Sequence, residues 1–201
     1  IDLSTMISGP LAGMMLADQG AEVIKVESPG MGDMMRHIGT QKNGMTGIYA
    51  LHNRGKKSLV VDLKHETGKE VLRKLIAESD VLIQNFRPGA MDRLGFSYEE
   101  VAVINPQLIY VSIAGFGEDG PNSGRRVYDN VIQATSGLAS VQTDKTTGVP
   151  SIYRTLICDK VTAYTASQAI TAALFARERG GSGQLINLSM LDAAIAFTWP
   201  D

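Results

Sequence analysis

Asp159 is the side chain of this sequence best placed for covalent chemistry. It follows Leu156-Ile157-Cys158 and opens a long helical pattern carrying Ala163, Ala166, Ala169, Ala172 and Ala173. By residue type an aspartate at a helix start is an N-cap, accepting from free backbone N–H groups. A carboxylate can equally be the nucleophile of an acyl transfer, and residue type leaves both readings open. Cys158, the only cysteine, sits at an apolar segment end, where a free thiol reads as a small buried hydrophobe. Gly115-Phe-Gly117-Glu-Asp-Gly120 matches the dinucleotide glycine fingerprint. Pro121, Asn122, Ser123 and Gly124 follow it, however, so no helix begins where a pyrophosphate would need one. Gly180-Gly-Ser-Gly183 follows Arg177-Glu178-Arg179 and reads as a helix terminator. There is no Gly-x-Ser-x-Gly elbow and no Walker sequence, and His37, His52 and His65 lack metal-ligand spacing.

Composition narrows the partners. The 201 residues are 44% apolar and 20% charged with a formal net charge of −2, an ordinary globular balance. Lysines and arginines are scattered among acids, so no nucleic-acid or membrane-surface footprint is expected. One cysteine excludes an internal disulfide and fits a reducing, cytoplasmic setting. No apolar run approaches the roughly 20 residues of a membrane span and no leader pattern opens the chain. Both ends read as cut, which makes a fragment of a longer chain the expectation.

The elements that would position Asp159 alternate between strand and helix. Residues 1–4 read as a strand tail, Leu11 to Asp18 as a helix and Ala21 to Val26 as a strand. Residues 28–47, rich in Gly, Met and polar side chains, read as a long loop. Lys57 to Leu63 is a β-branched run, followed by a helix with Val71, Leu72, Leu75 and Ile76 on one face. Strands are expected at Val81 to Gln84, Leu108 to Ile113 and Gln184 to Ser189. Helices are expected at Pro88 to Leu94, Tyr98 to Ile104, Tyr128 to Ser136, Asp159 to Arg177 and Leu191 to Phe197. This alternation predicts an α/β fold with a largely parallel sheet flanked by helices, in which ligands bind beyond the carboxyl ends of the strands.

Several ordered segments carry a more specific signal. They are Asp2-Leu3-Ser4 with Gly9-Pro10, the run Gly20 to Glu27, Gly32-Asp33, Asn53-Arg54-Gly-Lys56-Lys57-Ser58 and Asn85-Phe86-Arg87-Pro88-Gly89 with Leu94-Gly95. Asp159 with Ala172-Ala-Leu174, Gly180 to Gln184 and Leu188 to Ala194 completes the set. Together, over essentially the whole chain, they resemble the class III CoA-transferases, the family of formyl-CoA transferase, carnitine CoA-transferase and the α-methylacyl-CoA racemases. The resemblance implies a Rossmann-like large domain, of which residues 1–201 are the N-terminal part, with the small domain absent. It implies an interlocked homodimer in the full-length protein, and acyl-CoA and carboxylic acids as substrates with no tightly bound cofactor. The aspartate matching Asp159 would attack the donor thioester and carry the acyl group as a mixed anhydride. CoA contacts would come from Met6, Ile7, Ser8, Val61, Lys64, Asn85, Phe86, Arg93, Leu94, Arg126 and Tyr128.

Two departures refine this. Formyl-CoA transferase has glutamine where Ile7 stands and arginine where Ser28 stands, which argues against oxalate or formyl-CoA as substrates here. The racemase branch has a His-Asp pair where this chain has Tyr128-Asp129, which favours transfer over proton-transfer isomerisation. An isomerase using Asp159 with Asp129 or Tyr128 is the alternative, and a non-catalytic CoA-binding module with Asp159 as a helix cap is a third reading.

Overall fold

A computed structural model of the chain describes residues 1–199. Its elements run α1 (Ser8–Asp18), β1 (Ile24–Glu27), a 3-10 turn (Met34–Arg36), β2 (Gln41–Lys42), β3 (Met45–Thr46), α2 (Gly47–Asn53) and β4 (Lys57–Val60). The order continues with α3 (Glu66–Ala77), β5 (Val81–Gln84), α4 (Ala90–Leu94), α5 (Tyr98–Ile104) and β6 (Ile109–Ala114). It ends with α6 (Asp129–Thr135), α7 (Leu138–Val141), α8 (Ile157–Glu178), β7 (Gln184–Ser189) and α9 (Met190–Thr198).

The main sheet is parallel throughout. β1 pairs with β4, β5 with β6 and β6 with β7. Residues 1–3 join the two groups: Asp2 N–H donates to Ile24 O, Val26 N–H to Asp2 O, Leu3 N–H to Ile83 O and Ile83 N–H to Ile1 O, each at 2.9 Å. The spatial order is therefore β4, β1, residues 1–3, β5, β6, β7. In chain order this is third, second, first, fourth, fifth, sixth, the doubly wound arrangement whose order reverses between the first and fourth strands.

Each face of the sheet has its own core. Ile83, Ile109, Val111 and Ile113 pack against Leu11, Met14, Ala163, Ala166 and Ile170 of α1 and α8. Leu3, Val26, Leu82 and Tyr110 pack against Leu72, Ile76, Phe96 and Val101 on the α3 and α5 side. All six residues of β6 are buried, which is why Ile109 to Ala114 shows no apolar–polar alternation and its one small polar residue, Ser112, is hydrogen-bonded to Gln84 and Glu118.

Residues 28–47 hold more structure than their composition shows. Asn43 and Gly44, with φ of 53° and 76°, form the tight turn between the antiparallel β2 and β3, as Asn-Gly does in primed hairpins. Thr46 then caps α2 by accepting from Tyr49 N–H at 3.2 Å. α2 and α7 were not legible in the sequence, and α8 begins at Ile157 with Leu156 as its N-cap, two residues earlier than expected.

Candidate active site

The reversal of strand order lies between the loops leaving residues 1–3 and β5. Asn85 ties these loops together: its Nδ2 donates to Thr5 O at 2.7 Å and its Oδ1 accepts from Thr5 N–H at 2.8 Å. Met6 takes a φ of 69°, a left-handed conformation costing roughly 1–2 kcal/mol for a residue with a side chain. The surroundings enforce it. Buried Asp33 accepts from Met6 N–H at 3.1 Å and from Met35 N–H at 3.0 Å, while Lys25 Nζ donates to Ser4 O and, at 3.2 Å, to Asp33. A Cβ on Gly9 would lie 2.3 Å from Ser4 Cβ, so the Gly9-Pro10 pair is what lets α1 start this close to the loop.

Beneath the loop lies a buried charge network. Lys56 Nζ meets Asp2 at 2.7 Å, Pro10 O at 2.8 Å and Asn53 Oδ1 at 3.0 Å, and Lys25 Nζ lies 3.7 Å from the same Asp2 oxygen. Burial pushes the Asp2 carboxyl up, but Lys25 and Lys56 outweigh it and hold the group below the usual carboxylate range. Burial pulls the Lys56 ammonium below its ordinary value, with Lys25 adding to the fall, and the support of Asp2 and Asp33 does not make it up. Glu27 accepts from Arg36 at 2.7 and 2.8 Å and from Tyr49 Oη at 2.8 Å. Against burial, these partners and the Asp33 N–H, which donates at 2.7 Å, bring its pKa down to about 2. The segments around Lys25, Glu27, Asp33 and Lys56 thus serve as the foundation of the first strand-end loop.

Asp159 is not a helix cap. It is the third residue of α8, and its own N–H donates to Asp129 Oδ2 at 2.9 Å. Asp129, at 1% exposure, supplies the capping carboxylate from outside the helix and is fixed by Gln133 Nε2 on its other oxygen. This leaves the Asp159 carboxylate to face the first-strand loop. Burial and the Asp129 charge push its pKa up to about 7, partly offset by hydrogen bonding from the Ser8 hydroxyl and backbone N–H. The result is a carboxylate unusually basic for its type and still largely ionised just above neutral pH.

A cleft of about 350 Å³ opens in front of Asp159, and Met6, Ser8, Asn85, Phe86, Arg126 and Tyr128 are among its lining residues. A neighbouring cavity of about 230 Å³ is lined by Val61, Lys64, Phe86 and Leu94. Thr5 and Phe86 belong to both, so the two cavities adjoin at these residues. Two expected contacts lie outside both. Ile7 is 2% exposed and packs with Met35 and Tyr49, and Arg93 is exposed on α4 outside both linings. The sequence reading passed over Arg87 and Arg125, which also line the Asp159 cleft. Arg87 lies within the Asn85 to Gly89 motif and Arg125 beside Arg126, but a single basic residue reads by default as a solvated surface charge.

The remaining motifs are structural. A Cβ on Gly115 would come within 2.0 Å of Val127 Cγ2, so this glycine closes the base of the loop 116–126 and no helix follows it. Gly180 and Gly181 terminate α8, their N–H groups donating to Arg177 O and Ala176 O. Cys158 is 1% exposed, and burial, with Asp129 and Asp159 beside it, pushes its thiol up to about 12. Native protein is therefore expected to resist thiol labelling at pH 8, reacting stoichiometrically only after denaturation, and Cys158→Ala is expected to leave turnover within about twofold, because such a thiol carries negligible thiolate. Among the described residues no cluster of three or more His, Cys, Asp or Glu could hold a metal, and no helix is long and apolar enough to cross a membrane.

Fold and site together define a doubly wound α/β protein with a carboxylate of raised pKa lining a cleft where the strand order reverses. The family model for CoA-transferase family III matches residues 1–201, and the chain belongs to that family. It is 42% identical over 198 residues to the acetyl-CoA:oxalate CoA-transferase of Acetobacter aceti, covering 98% of this chain and 51% of that protein. It is 40% identical over 203 residues to the succinate–glutarate CoA-transferase of Agrobacterium fabrum, with 98% and 50% covered. The crystal structure of a CAIB/BAIF family protein from Brucella suis superimposes with a TM-score of 0.91 at 39% identity, over 96% of this chain and 52% of that one. The chain thus spans about half the length of these relatives.

Proposed function

We propose that the full-length protein moves coenzyme A from an acyl-CoA donor to a carboxylic acid acceptor, with Asp159 as the covalent acyl carrier. The observation that carries this is the Asp159 carboxylate, relieved of helix capping by Asp129 and raised to a pKa of about 7 in a cleft at the strand-order reversal. One of its oxygens attacks the thioester carbonyl carbon, the C–S bond breaks and CoA leaves as thiolate, leaving an acyl-aspartyl anhydride. Exchange of donor acid for acceptor acid and return of the thiolate close the cycle. The anhydride retains the activation of the thioester provided water is kept out.

Acyl-CoA would lie across the two adjoining cavities, its nucleotide end near Val61, Lys64 and Leu94 and its thioester near Ser8 and Asp159. The expected Arg93 and Ile7 contacts would then be, respectively, outside both cavities and through backbone alone. Residues 1–201 would be the N-terminal part of the large domain, completed by a small domain and by the partner of an interlocked homodimer in the cytoplasm. The isomerase alternative draws less support, because Asp129 is buried, accepts from Asp159 N–H and Gln133, and does not line the cleft.

The test is to incubate the full-length protein with a panel of acyl-CoA donors and examine the Asp159 peptide by mass spectrometry after hydroxylamine or borohydride trapping. A modified Asp159 is the expected result and names the donor. A substrate that turns over while leaving Asp159 unmodified would sink the covalent reading.

A further inference from the structure

Phe86 stands at the junction of three cavities. Besides the Asp159 cleft and the Lys64 cavity, it lines a third of about 340 Å³ whose wall includes Gln84, Tyr110, Ser112 and Glu118. The placement of acyl-CoA proposed above does not use this third cavity, but a chain of hydrogen bonds runs along its wall. Phe86 N–H donates to Gln84 Oε1 at 2.7 Å, Gln84 Nε2 donates to Ser112 Oγ at 2.9 Å, and the Ser112 hydroxyl donates to Glu118 Oε1 at 2.8 Å.

The direction of every bond follows from what each group can offer. A backbone N–H only donates, so the Gln84 carboxamide turns its oxygen to Phe86 and its nitrogen to Ser112. Ser112 therefore accepts from Gln84, and its single proton is left for the Glu118 carboxylate. Gln84 and Ser112 are each 5% exposed and are direct partners in the register of β5 and β6, so neither can turn to water for a substitute partner. Glu118 is exposed and belongs to the loop 116–126, which also brings Arg126 to the Asp159 cleft. The chain thus ties that loop, across two strands, to the backbone of Phe86. From the other side the same segment is held by the two bonds between Asn85 and Thr5.

We infer that Glu118 is a positioning residue for coenzyme A, fixing Phe86 through Ser112 and Gln84 where its ring walls the cavities that receive acyl-CoA. This rests on the transferase reading above. Glu118 lines neither the Asp159 cleft nor the Lys64 cavity, so it acts through other residues and takes no part in bond making. Phe86 meets the coenzyme alike before and during the reaction, so loosening it weakens binding and leaves the chemical step unchanged.

The experiment measures the affinity of the full-length protein for free CoA by calorimetry, and kcat and KM for one acyl-CoA donor established by turnover. E118A is expected to weaken CoA binding and raise the donor KM by about fivefold or more, the scale of one lost hydrogen bond, with kcat within about twofold. E118Q is expected to restore both constants to within about twofold of wild type, because its carboxamide oxygen still accepts from Ser112. S112A, which breaks the chain at its centre, should weaken CoA binding at least as much as E118A. Unchanged CoA affinity in E118A would overturn the inference, as would a fall in kcat equal to the rise in KM. An E118Q protein as impaired as E118A would overturn it too, because Glu118 would then be acting through its charge. Wild type that neither binds CoA nor transfers it from any donor would instead bring down the transferase reading itself.

Discussion

Asp159→Asn in the full-length protein is expected to lower kcat/KM for CoA transfer by at least about three orders of magnitude, since a carboxamide cannot form the anhydride and loss of a covalent nucleophile costs on this scale or more. Free CoA should still bind, because asparagine keeps the shape of the aspartate in the cleft wall and leaves the Lys64 cavity untouched. The same variant should fold more stably at pH 8. Asp159 has its pKa raised to about 7 from an ordinary value of 3.8, so between those values the native state holds a proton that the unfolded chain has lost. Stability contributed through this group therefore falls as pH rises through that window, and asparagine removes the penalty. The gain at pH 8 is on the order of 2–4 kcal/mol and should vanish below pH 4. Denaturant midpoints of both proteins at pH 4 and pH 8 would measure it. Lower stability of the asparagine variant at pH 8 would mean that the carboxylate is held by favourable partners and is not poised for attack. In the wild type, turnover should decline as pH falls through about 7, where the carboxylate takes up its proton.

Lys56→Met is expected to destabilise the full-length protein by about 3–5 kcal/mol, the usual consequence of leaving one member of a buried ion pair alone. Lys56 and Asp2 have side chains 1% and 0% exposed, and after the change Asp2 would keep Lys25 at 3.7 Å as its remaining cation. The double variant Lys56→Met with Asp2→Asn should recover a good part of the loss, because it removes the uncompensated charge as well. Chemical denaturation of the two single variants and the double would give the coupling. Strict additivity would show that the network is not a coupled unit. Because the Asp2 carboxyl is held below the ordinary range, the stability it provides is present above the unfolded carboxylate pKa and is lost as pH falls below about 4. Weakening this network should also loosen the Ser4 to Met6 loop that borders the cleft.

The sequence by itself determined the alternation of strands and helices, because a buried parallel sheet demands continuous apolar runs such as Ile109 to Ala114 and its crossovers demand helical periodicity. It also determined the family, through motifs whose order is specific even though each is short, and it singled out Asp159. Other features depend on which distant segments meet, and only the tertiary structure decided them. Residues 1–4 read as a strand tail from the sequence, but only their hydrogen bonds to β1 and β5 put residues 1–3 between those two strands, where the strand order reverses. Lys25, Glu27 and Lys56 look like surface charges until the sheet and α2 enclose them with their counter-ions. Asp159 carries the residue type of an N-cap, and what frees it is Asp129, placed against the start of α8 by α6. Arg87 and Arg125 come to line one cleft only because β5 and β6 are neighbours in the sheet and their loops leave the same edge. Periodicity is a local property and is written into the chain, whereas charge pairing, burial and pKa arise from contacts between residues far apart in sequence.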